Sequence, residues 1–173
     1  MYDHNLRGCQ SAAEVGVRQD MIESINTHKY LEMIEIQETY KDILRIVIAE
    51  AGVSECRPQF TEETEPNEAL RSILNESKAI QVGDDSQVYE ILFEDYIAYA
   101  VTNESYAAGV IPEEYTGRLA RVYSKSAFLN YIKQGTIATS EYPGEFMHYG
   151  FCCLNQIVDV VSQEPPVIKL KNA

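Results

Sequence analysis

The stretch "HYGFCCLNQ", residues 148–156, sets one of three histidines four residues ahead of a vicinal pair among four cysteines. Imidazole and thiolate ligate metals together, and an imidazole can also activate a thiol for nucleophilic attack. Both uses depend on distance. Gly150 and the Val/Ile-rich continuation disfavour a helix here, and in a strand His148 and Cys152 share a face but stand four rises apart, roughly 13 Å. Zinc bonds of about 2.0–2.3 Å cannot span that gap. Cys152 and Cys153 point to opposite faces, so the pair reads as buried thiols packing like small hydrophobes. A metal would need distant partners such as His28 or Cys56, and no metal or cofactor is expected. His148 and Asp159 can pair across a hairpin, with the carboxylate orienting the ring.

Two further groups carry polar chemistry. "TNESY", residues 102–106, puts Asn103, Glu104, Ser105 and Tyr106 at the end of a strand, a common position for binding sites, although the same residues also serve to stop strands. Arg118, Arg121 and Lys125 lie in a stretch from Tyr115 to Ser140 that contains no acid. On an antiparallel neighbour they are expected to neutralise Glu90, Glu94 or Glu104. The alternative is a small anion held by Arg118 or Arg121 together with helix N-terminal amides. The candidate ligand site is therefore Asn103, Glu104, Tyr106, Arg118, Arg121 and His148. No Gly-rich phosphate loop, H-E-x-x-H, C-x-x-C, G-x-S-x-G or EF-hand loop is present, so no catalytic residue is assigned.

The elements that must position these residues read as α+β: N-terminal helices, then a mainly antiparallel sheet with one inserted helix, in one compact domain over residues 1–173. Residues 1–11 are polar and assigned no role. Apolar residues from Tyr40 to Ala51 recur at helical spacing, favouring helix from about Ala12 to Gly52 over an isoleucine-rich hairpin turning near residues 39–42. Residues 54–66 form an exposed acidic connector. Asn67 caps the next helix, with Leu70, Ile73 and Leu74 as its buried stripe. "AIQV" and "VYEILFEDYIAYAVTNESY" follow as strands, the second half of the latter a central strand with two apolar faces. Ser124 caps the late helix, whose stripe is Phe128, Leu129 and Ile132 and whose stop is Gly135. The remainder reads as a surface connector, two strands turning at Asn155-Gln156, and a last short strand.

Charge limits the partners. The chain holds 27 acids and 14 bases, and the imbalance is concentrated in residues 1–114, with 23 acids and 8 bases, against 4 and 6 in residues 115–173. No base occurs between Ala79 and Gly117. Such a surface repels phosphate backbones and attracts basic proteins, so nucleic acid is disfavoured. No apolar run approaches the roughly 20 residues of a membrane helix, and the start of the chain lacks a signal-peptide pattern, which together predict no membrane association and a cytoplasmic location. The leading expectation is an acidic protein of the immunity or inhibitor type that neutralises a basic partner through Glu62, Glu63, Glu65, Asp84, Asp85, Glu113 and Glu114. The alternatives are a small-ligand binder or enzyme with a pocket at the sheet end, and a dimerisation or subunit module built on tyrosine-rich strands.

Overall fold

The computed structural model describes residues 12–39, 43–55, 57–107, 109 and 111–171, with the backbone alone for residues 12–19. Residues 1–11 and Cys56 lie outside them. Helix α1 (Ala12–Thr27) leads into β1 (Tyr30–Glu38) and β2 (Leu44–Val53). Next come α2 (Glu68–Glu76), β3 (Ile80–Gln81), β4 (Val88–Phe93), β5 (Tyr96–Asn103), β6 (Glu114–Thr116) and β7 (Ala120–Lys125). The chain ends with α3 (Ala127–Gly135), β8 (Met147–Cys152), β9 (Gln156–Ser162) and β10 (Val167–Lys171). The fold is α+β with antiparallel strand pairing, as the sequence predicts, but the strands build two sheets. The first runs β1-β2-β4-β10 with β3 attached to β2, and the second runs β5-β9-β8-β7-β6.

The sheets meet face to face. Leu31, Ile46, Ile48, Tyr89, Ile91 and Phe93 of the first pack with Tyr149, Phe151, Val158 and Val160 of the second in one buried cluster. The Phe93 ring sits 5.6 Å from Tyr149 and 6.3 Å from Phe151, centroid to centroid. Alternation explains the arrangement: in β4, Tyr89, Ile91 and Phe93 are buried while Val88, Glu90 and Leu92 face outward. Outside, Arg45 donates to Glu35 and Glu90 at 2.7 Å each, and its guanidinium holds the Glu90 carboxyl below the usual range. Helix α3 covers the far face of the second sheet, with Leu129 and Ile132 against Val161 and Ala98.

Four expectations are corrected. The helix predicted through Gly52 stops at Thr27, and Tyr30–Glu38 and Leu44–Val53 pair as the antiparallel strands β1 and β2; residues 40–42, in the alternative turn, lie outside the described residues. Strand β2 is buried on both faces, Leu44, Ile46 and Ile48 on one and Val47 and Ala49 on the other, and this double burial imitates helical spacing. Asn67 does cap α2, accepting the Leu70 N–H at 3.1 Å, but the helix buries nothing and leaves Leu70 and Ile73 43% and 66% exposed. Strand β5 is apolar on both faces yet lies at a sheet edge. A bulge between Tyr96 and Ala98 turns Tyr96 and Tyr99 to the inter-sheet core and Ala98 to the α3 side. Ser126, not Ser124, caps α3.

The end of α1 is joined to the second sheet by one amide. Asn26 Oδ1 accepts the backbone N–H groups of Arg118, Leu119 and Ala120 at 2.8, 2.7 and 3.0 Å. Asn26 Nδ2 donates to the carbonyls of Ile22 and Ala120 at 3.0 and 2.9 Å. The turn needs Gly117 at φ 86°, where a Cβ would stand 2.0 Å from the Ala120 carbonyl oxygen. Asn26→Ala is expected to cost about 2–4 kcal/mol, because three backbone donors lose their acceptor together. Asn26→Asp, which keeps the oxygen and loses the donor, should cost less. Urea unfolding of both variants measures the difference.

Candidate functional site

The outer face of the second sheet carries the polar side chains. Cross-strand register places Arg121 (β7), Gly150 (β8), Asp159 (β9) and Ala100 (β5) in one row. The adjacent row is Tyr123, His148, Val161 and Ala98. All of these side chains share a face because each strand alternates. Helix α3 crosses part of this face, and Tyr106, Ala107 and Gly109 border the part left open. Between them lies a cleft of ≈ 420 Å³, reached by Tyr106, Arg121, Tyr123, His148 and Asp159.

His148 organises the floor. Its ring is 2% exposed, stacks on Tyr123 with centroids 4.1 Å apart and planes 10° apart, and meets the edge of Phe128 at 5.5 Å. Nε2 lies 2.9 Å from Asp159 Oδ1, the cross-hairpin pair expected from sequence, and Nδ1 lies 2.8 Å from Ser126 Oγ. The carboxylate can only accept, so Nε2 carries a proton; in the neutral ring Nδ1 then accepts the Ser126 hydroxyl proton. The Ser126 oxygen in turn accepts the Leu129 N–H at 3.0 Å as the cap of α3. A strand, its hairpin partner and a helix terminus are thus joined through one imidazole.

Serine, histidine and aspartate in a row resemble a hydrolytic relay, but geometry gives the serine another task. Ser126 is 1% exposed and its oxygen holds a helix N-terminus, so a substrate carbonyl cannot reach it. It was missed in the sequence because Ser124 is an equally good capping residue two positions earlier. Tyr123 and the space above Gly150 were also missed. A Cβ at Gly150 would come within 2.9 Å of the Tyr123 ring and 3.3 Å of Asp159 Oδ1, so glycine makes room for both.

The candidate residues named from sequence separate. Tyr106, Arg121 and His148 converge on the cleft. Asn103 caps the 3₁₀ turn at Glu104–Tyr106, accepting the Ser105 N–H at 3.0 Å, and Glu104 is exposed beside it. Arg118 lies elsewhere: it donates to the carbonyls of His28 and Lys29 and secures the end of α1. Arg121 does not neutralise Glu90, which belongs to the other sheet and pairs with Arg45. Among the acids, Asp84 and Asp85 line an open cleft with Glu50 and Glu55. Glu62, Glu63 and Glu65 precede α2, and Glu65 accepts the Asn67 N–H at 2.9 Å. Glu113 accepts the Ala127 N–H at 3.0 Å, and Glu114 lies 3.6 Å from Lys125.

Among the described residues no three His, Cys, Asp or Glu side chains gather as a metal site. His28 bonds the Tyr89 hydroxyl at 2.6 Å and faces Glu50 at 3.3 Å. Cys152 and Cys153 are free thiols on opposite faces, with Cys153 in the inter-sheet core. Burial pushes the Cys152 thiol up against the opposing field of Arg121, and pushes Cys153 up to about 12. No helix among the described residues is long and apolar enough to cross a membrane. Compared with protein-family models, with curated proteins and with solved structures, the chain matches none.

Two outcomes test these assignments. Ser126→Ala should cost about 1–2 kcal/mol in urea unfolding, the ordinary loss of a helix cap, and a fluorophosphonate probe should leave Ser126 unlabelled in the native protein. A thiol with a value near 12 is about one part in 10⁴ thiolate at pH 8, so iodoacetamide should modify Cys153 only after unfolding, as read by peptide mass spectrometry.

Proposed function

We propose that this protein binds a small organic anion in the cleft between α3 and the outer face of the second sheet. Arg121 carries the reading. In a chain of net charge −13, this half-buried arginine has no carboxylate within ion-pair distance among the described residues. Its guanidinium is held in place: Nε donates to the Arg118 carbonyl at 3.1 Å, Nη1 to the Tyr123 hydroxyl at 3.4 Å, and the plane lies 4.4 Å from the Tyr115 ring centroid. The rest of the fork has no described acceptor. Tyr123 adds a second donor, since its oxygen accepts from Arg121 and its own proton has no described partner. Burial raises the Tyr123 phenol, which keeps that proton in place. Two immobilised donors at the wall of a partly apolar cleft suit a carboxylate or phosphate group.

The test is an NMR screen of aromatic and aliphatic carboxylates and phosphates against the native protein and Arg121→Met. The expected result is a set of anions that shift the amides of β7, β8 and β9, with affinity falling roughly tenfold or more in the variant. Arg121→Met should fold normally. Anions that bind both proteins equally would reject the site.

A second reading, a basic protein partner engaged in the manner of an immunity or inhibitor protein, is favoured by α2. Its apolar side chains Leu70 and Ile73 are exposed, as are Val53 and Ile80, paired across β2 and β3. Glu62, Glu63 and Glu65 precede the helix and Glu68 begins it, and Glu50, Glu55, Asp84 and Asp85 line a cleft together with Val53. Exposed apolar side chains with acids near them in sequence suit a basic partner. On this reading a captured basic protein elutes as salt rises and is lost from Leu70→Ser/Ile73→Ser.

A further inference from the structure

Charge inside the cleft has two signs. Arg121 on β7 and Asp159 on β9 line it together with Glu113, a balance of one positive and two negative groups when His148 is neutral. Arg121 and Asp159 point from the same sheet face, two strands apart with Gly150 between them, a Cα separation of roughly 10 Å. They form no ion pair. The Tyr123 ring, leaning over Gly150, occupies the space through which they would meet.

Each carboxylate keeps an open oxygen. Asp159 Oδ1 is committed to His148 and Glu113 Oε1 to the Ala127 N–H, while the second oxygen of each has no described donor. A simple anion on Arg121 and Tyr123 therefore sits in a cleft whose other charges repel it, inside a protein that is acidic overall. A simple cation on Asp159 meets Arg121. A ligand with both charges satisfies both sides. The rim supplies the rest: Tyr106 is 85% and Tyr131 63% exposed at the mouth, and Tyr131 lies parallel to Phe128 with centroids 6.3 Å apart. Exposed flat rings lining a cleft favour a flat apolar body against them.

From this charge arrangement we infer that the ligand is a zwitterion with an aromatic body, the chemistry of a free aromatic α-amino acid. Its carboxylate is held by Arg121 and Tyr123, its ammonium by the open oxygen of Asp159, and its ring by Tyr106 and Tyr131. The inference rests on the reading that this cleft binds an anionic group.

Three probes with the same phenylethyl body and different charged groups separate the two statements. L-phenylalanine, 3-phenylpropanoate and 2-phenylethylamine are titrated into the native protein at low salt, following the amides of β7, β8 and β9. Phenylalanine is expected to bind roughly tenfold more tightly than either single-charge analogue, the worth of one charge-assisted contact. In Glu113→Gln, which retains an acceptor for the Ala127 N–H, phenylalanine should bind more weakly and 3-phenylpropanoate more strongly. Equal affinity for phenylalanine and 3-phenylpropanoate overturns the zwitterion while leaving the anion site standing. If neither carboxylate shifts the cleft, the anion reading falls with it.

Discussion

The imidazole of His148 is the contact on which the arrangement of the second sheet and its helix depends. Its two nitrogens face in opposite directions, one toward a carboxylate on the neighbouring strand and one toward the hydroxyl that starts α3. Each member of this chain of bonds has a donor or acceptor role that the next one requires, so the helix start is set at one height above the sheet. The buried surfaces of Leu129 and Ile132 then decide how the rest of the helix lies. What remains uncovered, beside the first turns of the helix, is the cleft. The site is thus a by-product of a helix that covers only part of a sheet face, and its shape is as rigid as the histidine that positions its wall.

Electrostatics divides the molecule differently from topology. The first sheet manages its charges internally, with Arg45 shared between Glu35 and Glu90 on its outer surface. The second sheet, built largely from the less acidic half of the chain, keeps Arg121 apart from the acids that surround it. Aromatic rings perform that separation: Tyr115 lies against the guanidinium, and Tyr123 stands between it and Asp159. An arginine held by π-faces and a phenol keeps its charge available in a way that one held by glutamate does not.

How much of this was legible depended on whether a residue's role followed from its own strand. The pairing of His148 with Asp159 follows from period-two alternation and a hairpin turn, and both are visible in the sequence. The division of Cys152 and Cys153 between two faces follows in the same way. Arg121 was misread because its partner had to be chosen among acids on several strands, and Glu90 turned out to lie on the outer face of the other sheet. The chain changes sheets at Glu94-Asp95, and periodicity has no means to mark that change. The pairing of β1 with β2 was obscured by burial on both faces of β2, and Ser126 by a neighbouring serine. On α2 the apolar stripe was read correctly, but burial is a property of what packs on a helix, and the segment at Phe60–Glu65 that bonds Asn75 and Arg71 leaves every α2 side chain short of burial.

The strand that closes the first sheet belongs to the far end of the chain. Strand β10 pairs with β4 through Val167 opposite Leu92 and Lys171 opposite Val88, so every strand of the second sheet lies between these two in sequence. The hairpins β1–β2 and β8–β9 are local and can form early, whereas the β4–β10 pair must close a loop that contains the whole of the other sheet. Loop closure of that length is entropically expensive and is repaid only when the enclosed segment is already compact. The second sheet, with its histidine-fixed helix, is therefore the segment whose order makes the completion of the first less costly, and the cleft belongs to that enclosed segment.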